Sequence, residues 1–527
     1  MSRIIHSSSS NSSERRLTRS AAVMGLATFA SRVLGFVRDV LIARLFGTGP
    51  FAQAFVVAFL VPNLLRDLVA EGAVSAAVIP ILTSSLRKGK EEFWKLANLL
   101  LNTSVLVLGL LSLLGVFLAP VLVALVAPGF LGNPPLYELT VLLTRILFPF
   151  IFLVGLSAYA MGILNTLQHF WIPAFGPAVL NLGMILSLIF LVPHMKPPVL
   201  GLAIGVLVGG VVQCLIQIPP LRKKGFTYHP SLSFEDPGIK QTGRLLAPRI
   251  LGSAVYQLSV IIDRVFASLS HVVGEGGIAA LYYSNRIIQF PFALVGVSFA
   301  TAALPTLSGQ AMENSFDEFR KTLLFSLRSA FFVMVPAVVG ILVLSRPIVR
   351  ILFERGSFNA YSTEITTQAL FFYAMGLVVF SGAKILTSAF YSLHDTRTPV
   401  KIAVISLLVN VVFNTILMFP MKVGGLALAT TIASCFDFIA LYVLLRRRIG
   451  SFGGGVFWKG VCQFSFAGAL MAAALLLMLH FSGGEKHLSA GSLVLTVLFG
   501  TLCYFGFSLV LKIEESERLL RWVFRRK

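Results

Sequence analysis

Residues 31–82 read SRVLGFVRDVLIARLFGTGPFAQAFVVAFLVPNLLRDLVAEGAVSAAVIPIL. Two apolar runs meet at Gly47-Thr48-Gly49-Pro50, and Arg32, Arg38, Asp39, Arg44, Arg66, Asp67 and Glu71 lie inside the runs or at their edges. Each run is long enough to cross a bilayer, which takes about 20 apolar residues. An ionised side chain at that depth costs roughly 2.5 to 3.5 kcal/mol on insertion scales, so it persists where it faces a bundle interior or a wet cavity. Several arginines in one helical hairpin therefore predict a hydrated cationic cavity.

The same pattern extends through the chain. Its 527 residues are 56% hydrophobic and 12% charged, and the mean hydropathy of +0.86 exceeds what a soluble surface tolerates. Apolar runs fall at roughly 21–46, 53–83, 97–126, 138–165, 174–193 and 198–220, judged against the ~20-residue criterion. After a polar connector, Leu221 to Gly243, they resume at roughly 245–269, 278–305, 323–344, 364–392, 400–419 and 424–445. Two more follow, roughly 457–481 and 489–511. The expectation is an all-α polytopic membrane protein of about 14 transmembrane helices. The runs leave no room for a soluble domain, which excludes an independent catalytic or nucleic-acid-binding module.

The formal net charge of +21 is distributed with a purpose. Basic residues concentrate in alternate loops, at Arg15, Arg16 and Arg19, at Arg87 to Lys95, at Arg222 to Lys224, at Arg320 and Lys321, at Arg397 and Lys401, and at Arg446 to Arg448. By the positive-inside rule these loops and both termini are cytoplasmic. Arg346, Arg350 and Arg355 dissent on the predicted outside, where an interfacial amphipathic helix over 346–355 would account for them. The serine-rich start, Met1 to Arg16, reads as a disordered cytosolic tail. Cys214, Cys435, Cys462 and Cys503 sit in apolar runs without metal-ligand spacing and read as small core residues.

The first twelve runs form two sets of six displaced by about 225 residues, the kind of internal repeat found in transporters. Ile79-Pro80-Ile81-Leu82 aligns with Leu304-Pro305-Thr306-Leu307, Glu92-Phe93-Trp94-Lys95 with Glu318-Phe319-Arg320-Lys321, and Pro173 with Pro399. Gly201-Leu202-Ala203 aligns with Gly425-Leu426-Ala427, and Asp39 falls near Asp263. The domain expectation is a tail over 1–19, an N-lobe over 20–226, a C-lobe over 227–450 that begins with the connector 227–243, and a C-terminal pair with a basic tail over 451–527. An even number of spans per copy makes the two pseudo-symmetric six-helix lobes parallel, with a substrate site between them. The second copy carries its own span charges, Arg249, Asp263, Arg264, Arg286, Lys384 and Asp437. Snorkelling to headgroups would explain some of these, but Arg32, Arg38 and Arg286 are flanked by apolar residues in mid-span. Pro62, Gly72, Pro80, Pro248, Gly252, Pro291 and Gly296 interrupt the runs, as ordinary kinks or as broken helices lining a cavity.

Several motifs carry a resemblance to a known family. Ser31-Arg32-Val33-Leu34-Gly35-Phe36 with Arg38-Asp39, Pro62-Asn63-Leu64-Leu65-Arg66, Ala70-Glu71-Gly72-Ala73 and Tyr282-Tyr283-Ser284-Asn285-Arg286 are similar to the MurJ (MviN) family. So are Leu164-Asn165-Thr166 before Ile172-Pro173-Ala174, and Phe390-Tyr391-Ser392 with Thr398-Pro399-Val400-Lys401. That family consists of lipid II flippases in the multidrug/oligosaccharidyl-lipid/polysaccharide (MOP) exporter superfamily, with two lobes and an extra C-terminal pair of helices. The resemblance implies that the substrate and main partner is lipid II, the undecaprenyl-diphosphate-linked disaccharide pentapeptide, moved to the outer leaflet of the bacterial cytoplasmic membrane. Membrane lipids and the cell-wall synthesis machinery are the other implied partners.

The family's cavity arginines map onto Arg32, Arg38, Arg66 and Arg286, with Asp39, Glu71 and Asn63 lining or supporting the cavity. Guanidinium forks suit a diphosphate. Where many members have an acidic residue, this chain has Gln53. The resemblance also implies coupling to a sodium or proton gradient without a further cofactor. The sodium ligands of some members correspond to Asp263, Asn410, Asn414, the carbonyl of Leu426, and Thr430, with Asn414 replacing an acidic ligand. Polar packing between helices would leave the same residues. The C-terminal pair is implied to hold the polyprenyl tail.

Competing readings are an exporter of another lipid-linked polysaccharide precursor, a drug exporter, a polytopic glycosyltransferase and a non-transporting scaffold. An arginine-lined cavity repels the cations that drug exporters handle, and the predicted outer loops offer only scattered carboxylates such as Glu138, Glu275, Glu354 and Glu485 for an enzyme. A scaffold leaves the span arginines unexplained. No GxxxxGK[ST] loop occurs, so transport would draw on the membrane potential or an ion gradient.

Overall fold

The computed structural model describes residues 25–66, 74–481, 484 and 488–524, so Glu71 and both extreme termini lie outside the described residues. Among the described residues the secondary structure is helical, and ten helices are long and apolar enough to cross a membrane. The chain is a multi-pass membrane protein. Large apolar side chains left exposed on these helices, such as Phe117 at 78% and Leu502 at 72%, are what a surface in contact with lipid requires.

Two compact units emerge, and the first comprises Met1–Phe46 and Pro50–Leu258. Its helices are α1 (residues 25–46), α2 (Pro50–Arg66), α3 (Val74–Lys88), α4 (Lys90–Val126), α5 (Pro134–Leu147), α6 (Pro149–Thr166), α7 (Trp171–Phe190), α8 (Val199–Leu215), the short α9 (Ile218–Lys223) and most of α10 (Pro237–Ala267). The run expected as one span over 138–165 lies within one apolar span, Pro134–Thr166, whose hydrogen-bond ladder is interrupted at Phe148 because Pro149 has no N–H to continue it. Phe148 itself packs into a cluster with Leu108 and Ile151. Helices α7 and α8 approach backbone to backbone: a Cβ on Gly183 would lie 2.7 Å from the Cα of Gly209. Small residues permit that approach, and in lipid, packing of this kind replaces the hydrophobic drive between helices.

At the end of the unit carrying Arg87, Lys88 and Lys95, the residues Leu82, Phe93, Ala97, Leu164 and Leu221 form a buried cluster. The connector is tied down beside it. The Asn98 side chain donates to the Thr227 carbonyl (3.0 Å) and accepts from the His229 N–H (3.0 Å). Asn102 donates to the carbonyls of His229 (2.8 Å) and Ser231 (3.0 Å). The connector 227–243 was expected to begin the second lobe, and its residues 227–231 bond to α4 of the first unit, where two amides supply partners to exposed backbone.

The second unit comprises Gly47–Gly49 and Ser259–Lys527. After α10 come α11 (Ser270–Val273), α12 (Gly277–Pro291), a π-helical turn (Phe292–Val297), α13 (Ser298–Met312), α14 (Phe316–Phe353), α15 (Ala360–Ser392), α16 (Arg397–Ile449), α17 (Gly454–Phe481), α18 (Ala490–Val510) and α19 (Glu514–Phe524). Two expected spans, 400–419 and 424–445, are both within α16, which kinks at Lys422 (φ 50, ψ −128). The kink brings the chain so close to itself that a Cβ on Gly425 would sit 2.2 Å from the Leu417 carbonyl oxygen. Asp395, just before α16, accepts hydrogen bonds from the Thr398 N–H (3.0 Å) and hydroxyl (2.7 Å) and pairs with Arg448. Burial alone would raise its pKa, but these partners and the Arg397 N–H outweigh burial and hold the carboxyl below its ordinary value.

One expectation needs correction. The segment 346–355 is not a separate interfacial helix, because α14 continues unbroken through Phe353 and its apolar residues Val349 and Phe353 are buried in the unit. At 38 residues α14 is about 57 Å long, well beyond the ~30 Å hydrocarbon core. Its last turns therefore carry arginines past the lipid tails, and Arg350 donates to the Leu488 carbonyl (3.0 Å).

Helix α19 was not foreseen. It is latched to α14 by Arg328, whose Nε lies 2.6 Å from Glu515 Oε1, whose Nη2 donates to Glu515 Oε2 (3.0 Å), and whose Nη1 is 3.6 Å from Glu514. Both Arg328 and Glu515 are buried. Removing one partner of a buried pair costs about 3–5 kcal/mol. Glu515→Ala is expected at the low end, about 3 kcal/mol, because Glu514 remains nearby. The double variant Arg328→Met/Glu515→Leu is expected to recover most of the loss in the unfolding midpoint of the purified protein.

Candidate functional site

In the first unit the predicted residues differ sharply in environment. Arg32 is exposed on α1, whereas Arg38 and Asp39, one turn or two further along, are buried at 8% and 2%. Arg38 directs Nε (3.0 Å) and Nη2 (2.8 Å) to the same oxygen of Asp39. Its Nη1 donates to Asn181 Oδ1 (2.8 Å), and Asn181 donates in turn to the Ser31 carbonyl (3.1 Å). This network joins α1 to α7 at span depth, where an unpartnered guanidinium would be costly. Asn181 is the residue that the sequence reading missed. A lone amide in the apolar run Pro177-Ala178-Val179-Leu180-Asn181-Leu182 was the available signal.

Arg66 and Asn63, both half-buried, occupy the last turn of α2, beyond its internal Pro62, and Gln53 is buried in the first turn of that helix. The structure thus brings Arg38 and Asp39 together with Asn181. Arg32, Arg66 and Asn63 lie in the same unit.

In the second unit Arg286 is half-buried on α12, just before the π-helical turn that follows Pro291. Such turns recur at functional sites. The guanidinium carbon of Arg286 lies 5.1 Å from the Tyr282 ring centroid, Nη2 donates to the Tyr282 hydroxyl (3.3 Å), and Nη1 donates to Gln289 Oε1 (3.2 Å). Gln289 is itself held by Asn285 Oδ1 (2.8 Å). These partners orient the guanidinium, whose planar fork suits an anion.

The same unit gathers all five residues that the resemblance implied for sodium. Asn414 Nδ2 donates to Asp263 Oδ1 (3.2 Å) and to Asn410 Oδ1 (2.9 Å). Asn410 Nδ2 donates to Thr430 Oγ1 (3.4 Å), and that hydroxyl lies 3.3 Å from Asp263 Oδ2 and 3.1 Å from the Leu426 carbonyl oxygen. Asn410 and Asn414 are fully buried, and among the described residues Asn414 Oδ1 has no hydrogen-bond partner. Next door, Arg264 Nη1 donates to the Ile278 carbonyl (2.9 Å).

Comparison with solved structures places this fold among transporters. A multidrug resistance MATE family transporter of the MOP superfamily matches with a TM-score of 0.66 at 17% identity, over 80% of this chain and 96% of that one. That likeness is one of fold, and a structure of the lipid II flippase MurJ in an inward closed conformation also matches, with a TM-score of 0.77 at 26% identity, over 93% of this chain and 98% of that one.

In sequence, the chain matches the family described as lipid II flippase MurJ over residues 42–499. It is 36% identical over 474 residues to a probable lipid II flippase MurJ of Vibrio cholerae, covering 88% of this chain and 89% of the relative. It is 35% identical over 455 residues to the lipid II flippase MurJ of Burkholderia cenocepacia, covering 85% and 86%. The chain belongs to the MurJ family, a family of transporters and not of enzymes.

If Asn181 is the clamp between α1 and α7, Asn181→Leu removes one acceptor of Arg38 and the donor to Ser31 at once. Stranding buried polar groups costs about 1–3 kcal/mol each, more beside a charge. The variant is expected to insert but to unfold at a clearly lower temperature in detergent, whereas Asn181→Gln is expected to retain part of that stability.

Proposed function

We propose that this protein translocates lipid II from the cytoplasmic to the outer leaflet of the bacterial cytoplasmic membrane by alternating access, with both termini cytoplasmic, to supply peptidoglycan synthesis. The observation that carries this reading is the family match across residues 42–499, together with arginines retained in mid-span. A diphosphate brings about two negative charges, and each guanidinium fork binds phosphate oxygens through paired charge-assisted hydrogen bonds. Arg32, Arg38 and Arg66 on the first unit and Arg286 on the second are the groups proposed to hold it. Arg38 is already balanced by Asp39, so its part is to keep α1 in place and lend partial positive charge. Arg286, oriented by Tyr282 and Gln289, meets the phosphate directly. In a low-dielectric setting such contacts gain strength, which lowers the cost of carrying a charged head across the bilayer.

The polar cluster around Asp263 fits a sodium ion. Its donors are hard oxygens, namely one carboxylate, two amides, a hydroxyl and a carbonyl, and Asn414 Oδ1 is buried without a protein partner. Asp263, Asn410, Asn414, Thr430 and the Leu426 carbonyl would hold the ion, which would supply the charge that balances Asp263. Coupling to a sodium gradient is thereby part of the proposal, with one carboxylate making for a weak site.

Complementation of a flippase-depleted bacterium tests the substrate. Wild type is expected to restore growth and outer-leaflet lipid II, and Arg286→Ala is expected to insert at normal levels and restore neither. Rescue by Arg286→Ala would remove the anion-binding role, and failure of an inserted wild type would shift the reading to another lipid-linked glycan.

Sodium is tested separately on purified protein. Raising sodium against choline is expected to raise the unfolding temperature of wild type, and Asp263→Asn is expected to abolish the rise. Asn414→Asp is expected to shift the midpoint to about tenfold lower sodium, equivalent to about 1.4 kcal/mol. No sodium dependence in wild type would refute the site.

A further inference from the structure

A shallow recess of about 190 Å³ opens between α4 and α5 of the first unit, lined by Pro120, Tyr137, Glu138, Val141, Leu142 and Arg145. Its surroundings are apolar and exposed, with Phe117, Val121, Leu125 and Leu142 at 78%, 55%, 65% and 44%. A contiguous apolar exterior of this kind on a membrane span meets lipid. Two opposite charges stand in it. Glu138 and Arg145 are both exposed, and among the described residues neither has a hydrogen-bond or ion-pair partner. They share one face of α5 and are separated by two turns, about 10 Å along the helix axis.

Depth gives the pair a direction. Helix α5 starts at Pro134, directly after the loop that ends α4, and Arg145 lies in its last turn. Glu138 is therefore nearer the membrane surface and Arg145 deeper. Helical side chains lean toward the N-terminus, so the Arg145 stem runs up the helix along Val141 and Leu142 and lifts its guanidinium toward the glycerol level. A phospholipid headgroup has the complementary order, with the phosphodiester at the glycerol and any amine further toward water.

We propose that this recess binds the headgroup of an amine-bearing phospholipid, with the phosphate on Arg145 and the ammonium on Glu138, in the leaflet that contains the α4–α5 loop. The guanidinium fork matches phosphodiester oxygens. The Glu138 carboxylate accepts N–H bonds from a primary ammonium, which a trimethylammonium group cannot donate. An anionic headgroup without an amine gains Arg145 but confronts the charge of Glu138. The Tyr137 hydroxyl is already spent on the Pro120 carbonyl (3.0 Å), a bond that holds α5 against α4 and so forms the floor of the recess. Lipid supplies the partners that the protein withholds from both charges, which accounts for their survival on a hydrocarbon-facing surface.

The test reconstitutes the full-length protein in vesicles containing equal parts phosphatidylethanolamine, phosphatidylcholine and phosphatidylglycerol, extracts it in mild detergent, and counts retained lipids by native mass spectrometry. Wild type is expected to retain phosphatidylethanolamine over each competitor by roughly tenfold, and Arg145→Gln is expected to lose that retention. Glu138→Gln is expected to keep a bound phospholipid but to lose the preference for ethanolamine, with phosphatidylglycerol rising. Arg145→Lys, which keeps the charge without the fork, is expected to retain an intermediate amount and guards against a folding defect in the glutamine variant. Equal retention of the three lipids by wild type, or unchanged retention in all the variants, would overturn the proposal.

Discussion

A charged side chain inside a bilayer span has to bring its partners with it, and much of this structure follows from that requirement. Arg38 is enclosed with Asp39 and Asn181, Asp263 with Asn414 and Thr430, Arg264 with a backbone carbonyl, and Arg328 with Glu515. Three of these networks join helices more than a hundred residues apart in sequence, so the polar groups that make insertion costly also specify which helices pack together. Hydrophobicity could not do this, since lipid tails are as apolar as leucine.

The two internal copies solve the problem in related ways. Asp39 lies on the first helix of its copy and connects, through Arg38, to an asparagine on α7. Asp263 lies on the corresponding helix of the second copy and connects directly to asparagines on the first half of α16, the segment that aligns with α7 through Pro173 and Pro399. The tie between the first and fifth apolar runs of each copy thus differs. In one copy it is completed by a resident arginine, and in the other it is a cluster of oxygens with an unpartnered Asn414 Oδ1.

Backbone irregularity is concentrated where function is proposed. The π-helical turn after Pro291 lies just beyond Arg286, and the kink at Lys422 lies between the asparagine and threonine members of the Asp263 cluster. Freed backbone groups survive in a membrane only beside protein or water.

The sequence by itself determined the class and much of the chemistry. Runs of about 20 apolar residues force helices, the repeat dictates two copies, and charges in mid-span mark the residues that need partners. The grouping of Asp263 with Asn410, Asn414, Leu426 and Thr430 was legible through the family resemblance. What only tertiary structure decided was which charge is satisfied and by what. Arg32 and Arg38 look alike in sequence, yet one is exposed and the other is enclosed by an asparagine more than a hundred residues away. The connector's ties are side-chain amides of α4 meeting backbone carbonyls, a contact with no signature in hydropathy. A separate helix was expected over 346–355 because span length is judged from apolar content, while α14 continues through Phe353 and buries its end against protein. Periodicity reports the environment that a residue needs, and long-range packing alone determines who provides it.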